Sequence, residues 1–182
     1  MKSVKTILII LIVVLNFINL KSQNYYFDFF NPENGLSQSQ VFTMTQDSSG
    51  KIWLGTIGGG IDIYDGHKFE NLNTDNGLPN NIVYKIFIDD KKRYWIATYD
   101  GVGLYENKKF KKFTTNEGLP NNLVFDITQD KNGTIWVGTY SGAAKLVNDK
   151  FQRIDANSIL KEFKILTIFF DSKNRGWFGT EK

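Results

Sequence analysis

The chain contains no cysteine, one histidine and three prolines among its 182 residues. The absence of cysteine excludes a disulfide framework, a cysteine-ligated zinc site and a lipid anchor on cysteine. The single histidine, His67, lies in an Asp-Gly-His-Lys stretch that is typical of a surface turn. With one histidine, no cysteine and no recognisable Ser–His–Asp arrangement, the sequence offers little support for nucleophilic or metal-dependent catalysis. We therefore expect no catalytic residues, no metal and no cofactor in this chain.

An excess of basic residues is also lacking once the N-terminus is set aside. The first 22 residues hold three of the 22 Lys and Arg residues and none of the 19 acidic ones. The remainder therefore carries equal numbers of basic and acidic side chains, although the whole chain has a formal charge of +3. Nucleic-acid binding needs a basic surface. We expect no nucleic-acid partner.

The N-terminal segment has the layout of a secretory signal peptide. Lys2 and Lys5 precede the apolar run Ile7–Leu15, and Ser22 offers a small residue for cleavage. The apolar run is shorter than the roughly 20 residues that a membrane-spanning helix needs. We predict a signal peptide at 1–22 and export to the periplasm or the exterior, with an uncleaved signal anchor as the alternative.

A repeat of 41 or 42 residues dominates the rest of the sequence. Its most visible columns are four tryptophans, four aspartates six residues before them and four threonines three residues after them. They are Trp53, Trp95, Trp136 and Trp177; Asp47, Asp89, Asp130 and Asp171; and Thr56, Thr98, Thr139 and Thr180. A period of this length in a sequence rich in aromatic residues and glycine predicts the blades of a β-propeller.

Each repeat unit contains the pattern of four short antiparallel strands. In the third copy these are Val124–Thr128, Ile135–Thr139, Ala143–Val147 and Phe151–Ile154. The sequence therefore predicts an all-β chain of four-stranded antiparallel blades, an incomplete propeller of about three and a half blades. The propeller repeats occupy 23–182, with blade 1 at 41–73, blade 2 at 83–114, blade 3 at 124–155 and a partial blade 4 at 165–182.

One more strand is expected ahead of blade 1. Phe27 lies 42 residues before Phe69, which begins the fourth strand of blade 1, so Phe27–Phe30 is predicted to be an orphan outer strand. Open blade edges at both ends of the chain invite pairing with other strands. The expected partners are the remaining blades of a longer chain or another copy of this one. We expect the chain by itself to be oligomeric or poorly folded.

The repeated aspartates and tryptophans have a structural and a functional interpretation. Asp47, Asp89, Asp130 and Asp171 precede hairpin turns, where an aspartate side chain accepts hydrogen bonds from the backbone of its own turn. We favour that role over a ring of ligand-binding carboxylates. Trp53, Trp95, Trp136 and Trp177 lie within strands, and packing between neighbouring blades is favoured over a platform for sugar stacking.

The loop face offers the candidate binding residues. Polar and aromatic side chains recur after the GT pair of each second strand and within the segment that links blades. The candidates are Tyr99, Asp100, Tyr140, Ser141, Asn80, Asn81, Asn121 and Asn122. Aromatic faces and amides suit a glycan or another small polar ligand. The alternative, that the amides only satisfy backbone groups in the turns, stays open.

The pattern of one full repeat identifies a family resemblance. From Phe110 to Gly142 the chain follows F-x7-GLPNN-x-V-x-x-I-x-x-D-x-x-G-x-IW-x-GT-x-x-G, which resembles the two-component regulator propeller repeat. The resemblance extends from Phe27 to Thr180. Departures occur at Lys92 and Asn174, which replace the turn glycine, and at Ala97, which replaces the glycine of GT.

This resemblance implies a sensor function. Such repeats build the periplasmic sensor region of hybrid two-component histidine kinases, in which a membrane helix and a cytoplasmic kinase follow the propellers. We therefore expect a periplasmic ligand-sensing fragment, with membrane contact only through a downstream segment. The alternatives are a stand-alone secreted binding or scaffold protein without a kinase, and a propeller hydrolase or lyase, for which the sequence offers no acid–base pair.

Overall fold

The computed structural model describes residues 25–154, 160 and 163–181, together with Val4. The predicted signal peptide, 1–22, lies outside the described residues except for Val4. Among the residues that are described, no helix has both the length and the apolar character needed to cross a membrane.

Three four-stranded antiparallel sheets follow one another along the chain, each with its strands in sequence order. Blade 1 contains β1 (Val41–Gln46), β2 (Ile52–Thr56), β3 (Ile61–Tyr64) and β4 (Phe69–Leu72). Blade 2 contains β5 (Val83–Ile88), β6 (Tyr94–Thr98), β7 (Gly101–Glu106) and β8 (Lys109–Phe113). Blade 3 contains β9 (Val124–Gln129), β10 (Ile135–Thr139), β11 (Gly142–Val147) and β12 (Lys150–Arg153). A fourth sheet pairs β13 (Lys164–Phe170) with β14 (Gly176–Glu181).

The first strands of the blades lie side by side. β1 contacts β5, β5 contacts β9, and β9 contacts β13. This arrangement places the first strand of each sheet at a common hub, with the later strands farther out, as in a propeller. The predicted all-β propeller fold is confirmed, with three complete blades and two strands of a fourth sheet among the described residues.

Apolar side chains fill each junction between neighbouring sheets. Trp53 of blade 1 stacks on Tyr94 of blade 2 with ring centroids 4.1 Å apart, and Trp95 packs on Phe113 in the next cluster. A leucine from each linking segment is also buried: Leu36, Leu78 and Leu119. Because each blade covers its neighbour's apolar face, stability arises between repeats as much as within them.

The linking segments share one geometry that depends on glycine. Short 3-10 helices at Pro32–Asn34, Thr74–Asn76 and Thr115–Glu117 end at Gly35, Gly77 and Gly118, whose φ angles are 98°, 95° and 95°. A Cβ added to Gly118 would lie 2.0 Å from the carbonyl oxygen of Phe151. Glycine therefore permits both the left-handed backbone and the close approach of this link to blade 3.

The predicted strand at Phe27–Phe30 is wrong. Residues 25–31 have no regular secondary structure, and blade 1 comprises β1 to β4 alone. A strand needs a hydrogen-bonding neighbour, and the sheet that the predicted strand was to join contributes only β13 and β14 in the described part of the chain. Phe30 nevertheless packs on blade 1, with its ring 5.0 Å from that of Tyr64 and 5.5 Å from that of Phe69.

Candidate functional site

One aspartate organises the turn between the first two strands of each sheet. In blade 3, Asp130 Oδ1 accepts hydrogen bonds from the backbone amides of Asn132 and Thr134, both at 2.9 Å. Its Oδ2 accepts one from the indole Nε1 of Trp136 at 3.0 Å. Asp47, Asp89 and Asp171 make the same three kinds of bond. The carboxylates therefore face inward to their own turns and do not form a shared ligand-binding ring.

These bonds favour the ionised carboxylate. Burial opposes ionisation of Asp47, but hydrogen bonds from Ser49, Trp53 and Lys51 outweigh it and lower the pKa of Asp47 to about 2. The backbone amide of Arg175 is the largest influence on Asp171, whose pKa is also lowered to about 2. The pKa values of Asp89 and Asp130 are lowered as well, because hydrogen bonds again outweigh burial.

Stability is expected to fall as the turn aspartates become protonated. An unfolded aspartate titrates near pH 3.9, so the lowered folded-state pKa of Asp47 adds stability that is fully present above about pH 5 and is lost as the pH falls towards about 2. The urea midpoint should therefore decrease between about pH 5 and about pH 2. In the variant Asp47→Asn this decrease should be shallower, since an amide does not titrate. An unchanged pH profile in this variant would contradict the assignment.

The four repeated tryptophans differ in exposure, although each donates the same kind of hydrogen bond to its turn aspartate. Trp53 and Trp95 are 4% and 0% exposed, Trp136 is half-buried, and Trp177 is 57% exposed. Trp136 packs on Phe170 and Phe178 of the fourth sheet. Burial of each indole thus depends on the sheet that follows it, and no further sheet covers Trp177 among the described residues.

Five of the predicted binding residues meet at one place on the loop face. Tyr99, Asp100, Asn121, Asn122 and Tyr140, together with Leu123, line an open recess of about 420 Å³. The two tyrosines follow equivalent second strands of blades 2 and 3, and each is 52% exposed. Backbone hydrogen bonds tie Tyr99 to Ile82 and Tyr140 to Leu123. The recess is therefore shared by the facing loops of two blades.

The amides at the recess also serve the fold. Asn121 Oδ1 accepts from the amide of Leu123 at 2.8 Å, and its Nδ2 lies 3.3 Å from Ser141 Oγ. Asn122 Oδ1 accepts from the amide of Thr115, and its Nδ2 donates to Asp100 Oδ1, both at 2.9 Å. In both residues the Oδ1 atom therefore satisfies a backbone amide, as the alternative interpretation expects, whereas the Nδ2 atom donates to a side chain.

The remaining predicted asparagines occupy the equivalent position one blade earlier. Asn80 Oδ1 accepts from the amide of Ile82 and Asn81 Oδ1 from that of Thr74, both at 2.9 Å. Neither residue lines the recess beside Tyr99 and Tyr140. The structure therefore separates Asn80 and Asn81 from the other candidates.

A row of side chains on the hub strands is not among the residues predicted from the sequence. Each first strand contains a register shift that leaves one residue without a partner on the second strand: Phe42, Tyr84, Phe125 and Leu166. The rings of Phe42 and Tyr84 lie 5.9 Å apart, and those of Tyr84 and Phe125 lie 5.4 Å apart. A β-bulge re-aims the side chain at which it occurs. We call these four residues the hub row; their 41- or 42-residue spacing could have revealed it.

The hub row adjoins the recess. Lys164 Nζ lies 5.8 Å from the ring of Phe125 and 5.4 Å from that of Tyr140, and it bonds to Glu181 Oε2 at 2.6 Å. Burial, and to a lesser degree the nearby Tyr99, raises the pKa of Tyr84. The recess and the hub row thus form one surface of aromatic rings with polar groups at its rim.

Residues suited to metal binding do not cluster in the part of the chain that the structure describes. His67 lies in an exposed turn, where its backbone amide donates to Asp65 Oδ1 at 2.9 Å. The candidate site therefore rests on rings, amides and hydroxyls.

A family model matches the repeats. The family described as "Two component regulator propeller" matches residues 35–58, 77–100 and 118–141. Each match begins at the glycine that ends a 3-10 helix and finishes in the loop after the second strand of a blade. The matched segments therefore include the links, the turn aspartates and the tyrosines of the recess.

Similar proteins agree with this match. Histidine kinase P4 of Formosa agariphila is 47% identical over 55 residues, which are 29% of this chain and 4% of that protein. The extracellular domain of BT3049, described as a hybrid two-component system of B. thetaiotaomicron, aligns with a TM-score of 0.76 and 28% identity. That alignment covers 90% of this chain and 23% of that domain.

More distant structures share the fold alone. A virginiamycin B lyase from Staphylococcus aureus aligns over 76% of this chain and 48% of its own with 18% identity and a TM-score of 0.61. The match to the repeat family and the 28% identity to the BT3049 domain indicate a closer relationship than this shared fold. Residues 35–58, 77–100 and 118–141 of this chain match repeats of the two-component regulator propeller family.

Proposed function

We propose that this chain is an exported ligand-sensing propeller region of a two-component sensor, and that its loop face binds a glycan. The sensor role is supported by the family match and by the extracellular domain of BT3049. A kinase belongs to this proposal only as a neighbouring part of a longer protein, because the chain spans 4% of the curated histidine kinase it matches.

The recess between Tyr99 and Tyr140 carries the glycan proposal. Two half-exposed tyrosines from adjacent blades present ring surface for the apolar faces of sugar rings. Among the described residues, neither tyrosine hydroxyl takes part in a hydrogen bond within the protein. Ser141 does not line the recess, but its hydroxyl accepts from Asn121 Nδ2 beside it and donates to no other described residue. These groups match the hydroxyls that a sugar presents at its edge.

The charges at the recess favour a neutral ligand. Asp100 Oδ2 accepts from Lys112 Nζ at 3.0 Å, so this carboxylate is paired within blade 2. Lys164, whose Nζ lies 5.4 Å from the Tyr140 ring, is paired with Glu181 at 2.6 Å. Because both charged groups already have partners, a ligand with a strong net charge gains little there.

Glycan binding can be tested directly. Screening the purified chain on a glycan array, followed by calorimetry with the best sugar, should give saturable binding. Tyr140→Ala should weaken that binding at least about tenfold, since it removes one aromatic wall of the recess. Phe169→Ala, which alters an exposed ring on the fourth sheet away from the recess, is the matched control and should bind like the unaltered chain.

Two results would count against the proposal. Equal affinity in Tyr140→Ala and the unaltered chain would remove the recess as the site. Turnover of the bound sugar would favour a propeller hydrolase or lyase instead of a sensor.

A further inference from the structure

Asp100 carries the only carboxylate that lines the recess among the described residues. Its Oδ1 accepts from Asn122 Nδ2 at 2.9 Å, and its Oδ2 accepts from Lys112 Nζ at 3.0 Å. Lys112 does not line the recess, so its ammonium group reaches the carboxylate from outside. A carboxylate has about four acceptor sites, two on each oxygen. One acceptor site on each Asp100 oxygen therefore has no donor in the part of the chain that the structure describes.

The loop that carries Asp100 is fixed by hydrogen bonds to its backbone. The buried Thr98 Oγ1 donates to the carbonyl oxygen of Gly101 at 2.8 Å and accepts from the amide of Asp100 at 3.2 Å. The amide of Gly101 donates to the carbonyl oxygen of Asn122 at 2.6 Å. The carboxylate is thus held in place before a ligand arrives. A preformed acceptor binds its ligand without the cost of ordering a loop.

The fold does not need a carboxylate at this position. The repeat equivalents of Asp100 are Gly58 in blade 1 and Ser141 in blade 3. In blade 1 the amide of Gly58 donates to the carbonyl oxygen of Asn81 at 3.0 Å, so backbone groups join this loop to its link. The side chains of Lys112 and Asp100 are 42% and 44% exposed, and exposed ion pairs add little stability. A role in binding explains Asp100 better than a structural role.

We infer that Asp100 is the specificity-determining residue of the recess and that it selects neutral sugars with two adjacent free hydroxyls. The inference rests on the proposed glycan binding and adds which part of the sugar is recognised. Each of the two hydroxyls donates to one Asp100 oxygen, and hydrogen bonds to an ionised acceptor are stronger than those between neutral groups. Lys112 neutralises the carboxylate, which removes the advantage of a cationic sugar. The apolar face of the sugar ring is left for Tyr99 or Tyr140.

Removal of single hydroxyls from a bound sugar tests this selection. The probes are the neutral sugar with the highest affinity on the glycan array and its analogues that each lack one hydroxyl. Calorimetry with the unaltered chain should show an affinity loss of at least about tenfold for the two analogues that lack either of two adjacent hydroxyls. In Asp100→Ala the parent sugar should bind at least about tenfold more weakly, and these two analogues should bind as well as the parent.

Asp149→Ala is the matched control for Asp100→Ala. The Asp149 carboxylate lies 3.8 Å from Lys111 Nζ in an exposed ion pair and does not line the recess. This variant should keep both the affinity for the parent sugar and the discrimination against the two analogues. Asp100→Ser, which places the blade 3 residue on the equivalent loop, replaces Asp100→Ala if circular dichroism shows that the latter is unfolded.

The measurements separate this inference from the proposed function. A purely structural role of Asp100 would weaken all probes by the same factor, so discrimination that persists in Asp100→Ala overturns the inference. An acidic sugar as the best binder on the array overturns it, and so does an unaltered chain that tolerates the loss of every single hydroxyl. If binding depends on Tyr140 but not on Asp100, only this inference fails. If no sugar binds the unaltered chain, the proposed glycan binding fails with it.

Discussion

Trp95→Ala is expected to lower the free energy of unfolding by about 3–5 kcal/mol. The Trp95 side chain is fully buried between blades 2 and 3, where it packs on Phe113. The substitution leaves a cavity in the junction and removes the indole donor that bonds to Asp89 Oδ2 at 2.9 Å. Urea denaturation followed by circular dichroism measures the loss.

Trp177→Ala is the matched control for that substitution. Trp177 occupies the same repeat position and makes the same hydrogen bond to its turn aspartate, at 3.2 Å, but it is exposed. At a protein concentration too low for self-association, its removal should cost less than about 1 kcal/mol. Similar losses in the two variants would show that the hydrogen bond, rather than burial between blades, determines stability.

Asp126→Ala is expected to release the fourth sheet from blade 3. The Asp126 carboxylate is buried, and its Oδ2 accepts from the amide of Ile168 at 2.7 Å and from Thr167 Oγ1 at 3.1 Å. Removing the carboxylate leaves the buried amide of Ile168 without its acceptor, which costs about 3 kcal/mol. Hydrogen exchange at the Ile168 amide should accelerate about a hundredfold, since that ratio corresponds to about 3 kcal/mol.

Asp149→Ala provides the comparison for Asp126→Ala. The Asp149 side chain is 81% exposed, and its carboxylate lies 3.8 Å from Lys111 Nζ. An exposed ion pair of this kind contributes less than about 1 kcal/mol, so exchange at Ile168 should not change. If the Ile168 amide exchanges at an unchanged rate in Asp126→Ala, Asp126 does not hold the fourth sheet on blade 3. If amide exchange accelerates equally throughout blades 1 and 2, the substitution destabilises the whole protein instead.

The strands could be predicted from the sequence because their signals are local. Alternation of apolar and polar residues and the turn chemistry around each aspartate depend on neighbours a few residues apart. Strand β5 begins at Val83 and β10 ends at Thr139, as predicted. The repeat also predicts that Tyr99 and Tyr140 lie near each other, because residues at the same repeat position occupy equivalent places on successive blades.

Contacts between sheets could not be predicted in the same way. Asp126 has no acidic counterpart in the other repeats, whose equivalents are Thr43, Lys85 and Thr167, so no repeated column marks it. The hub row was missed because alternation along a strand does not show where a bulge shifts the register. Spacing alone predicts a strand at Phe27–Phe30, although a strand forms only where a partner edge exists.

The repeating unit of four short strands, a turn aspartate and a glycine link can be predicted from the amino-acid sequence alone, since each part depends on residues within one repeat. How the sheets pack determines the bond from each tryptophan to its aspartate and which equivalent residues share an environment. Trp95 is buried and Trp177 is exposed because burial requires a following sheet. On the opposite face the preceding sheet provides the cover: Ile96 is buried against blade 1, whereas its counterpart Leu54 lines an open groove, with no earlier sheet beside it among the described residues.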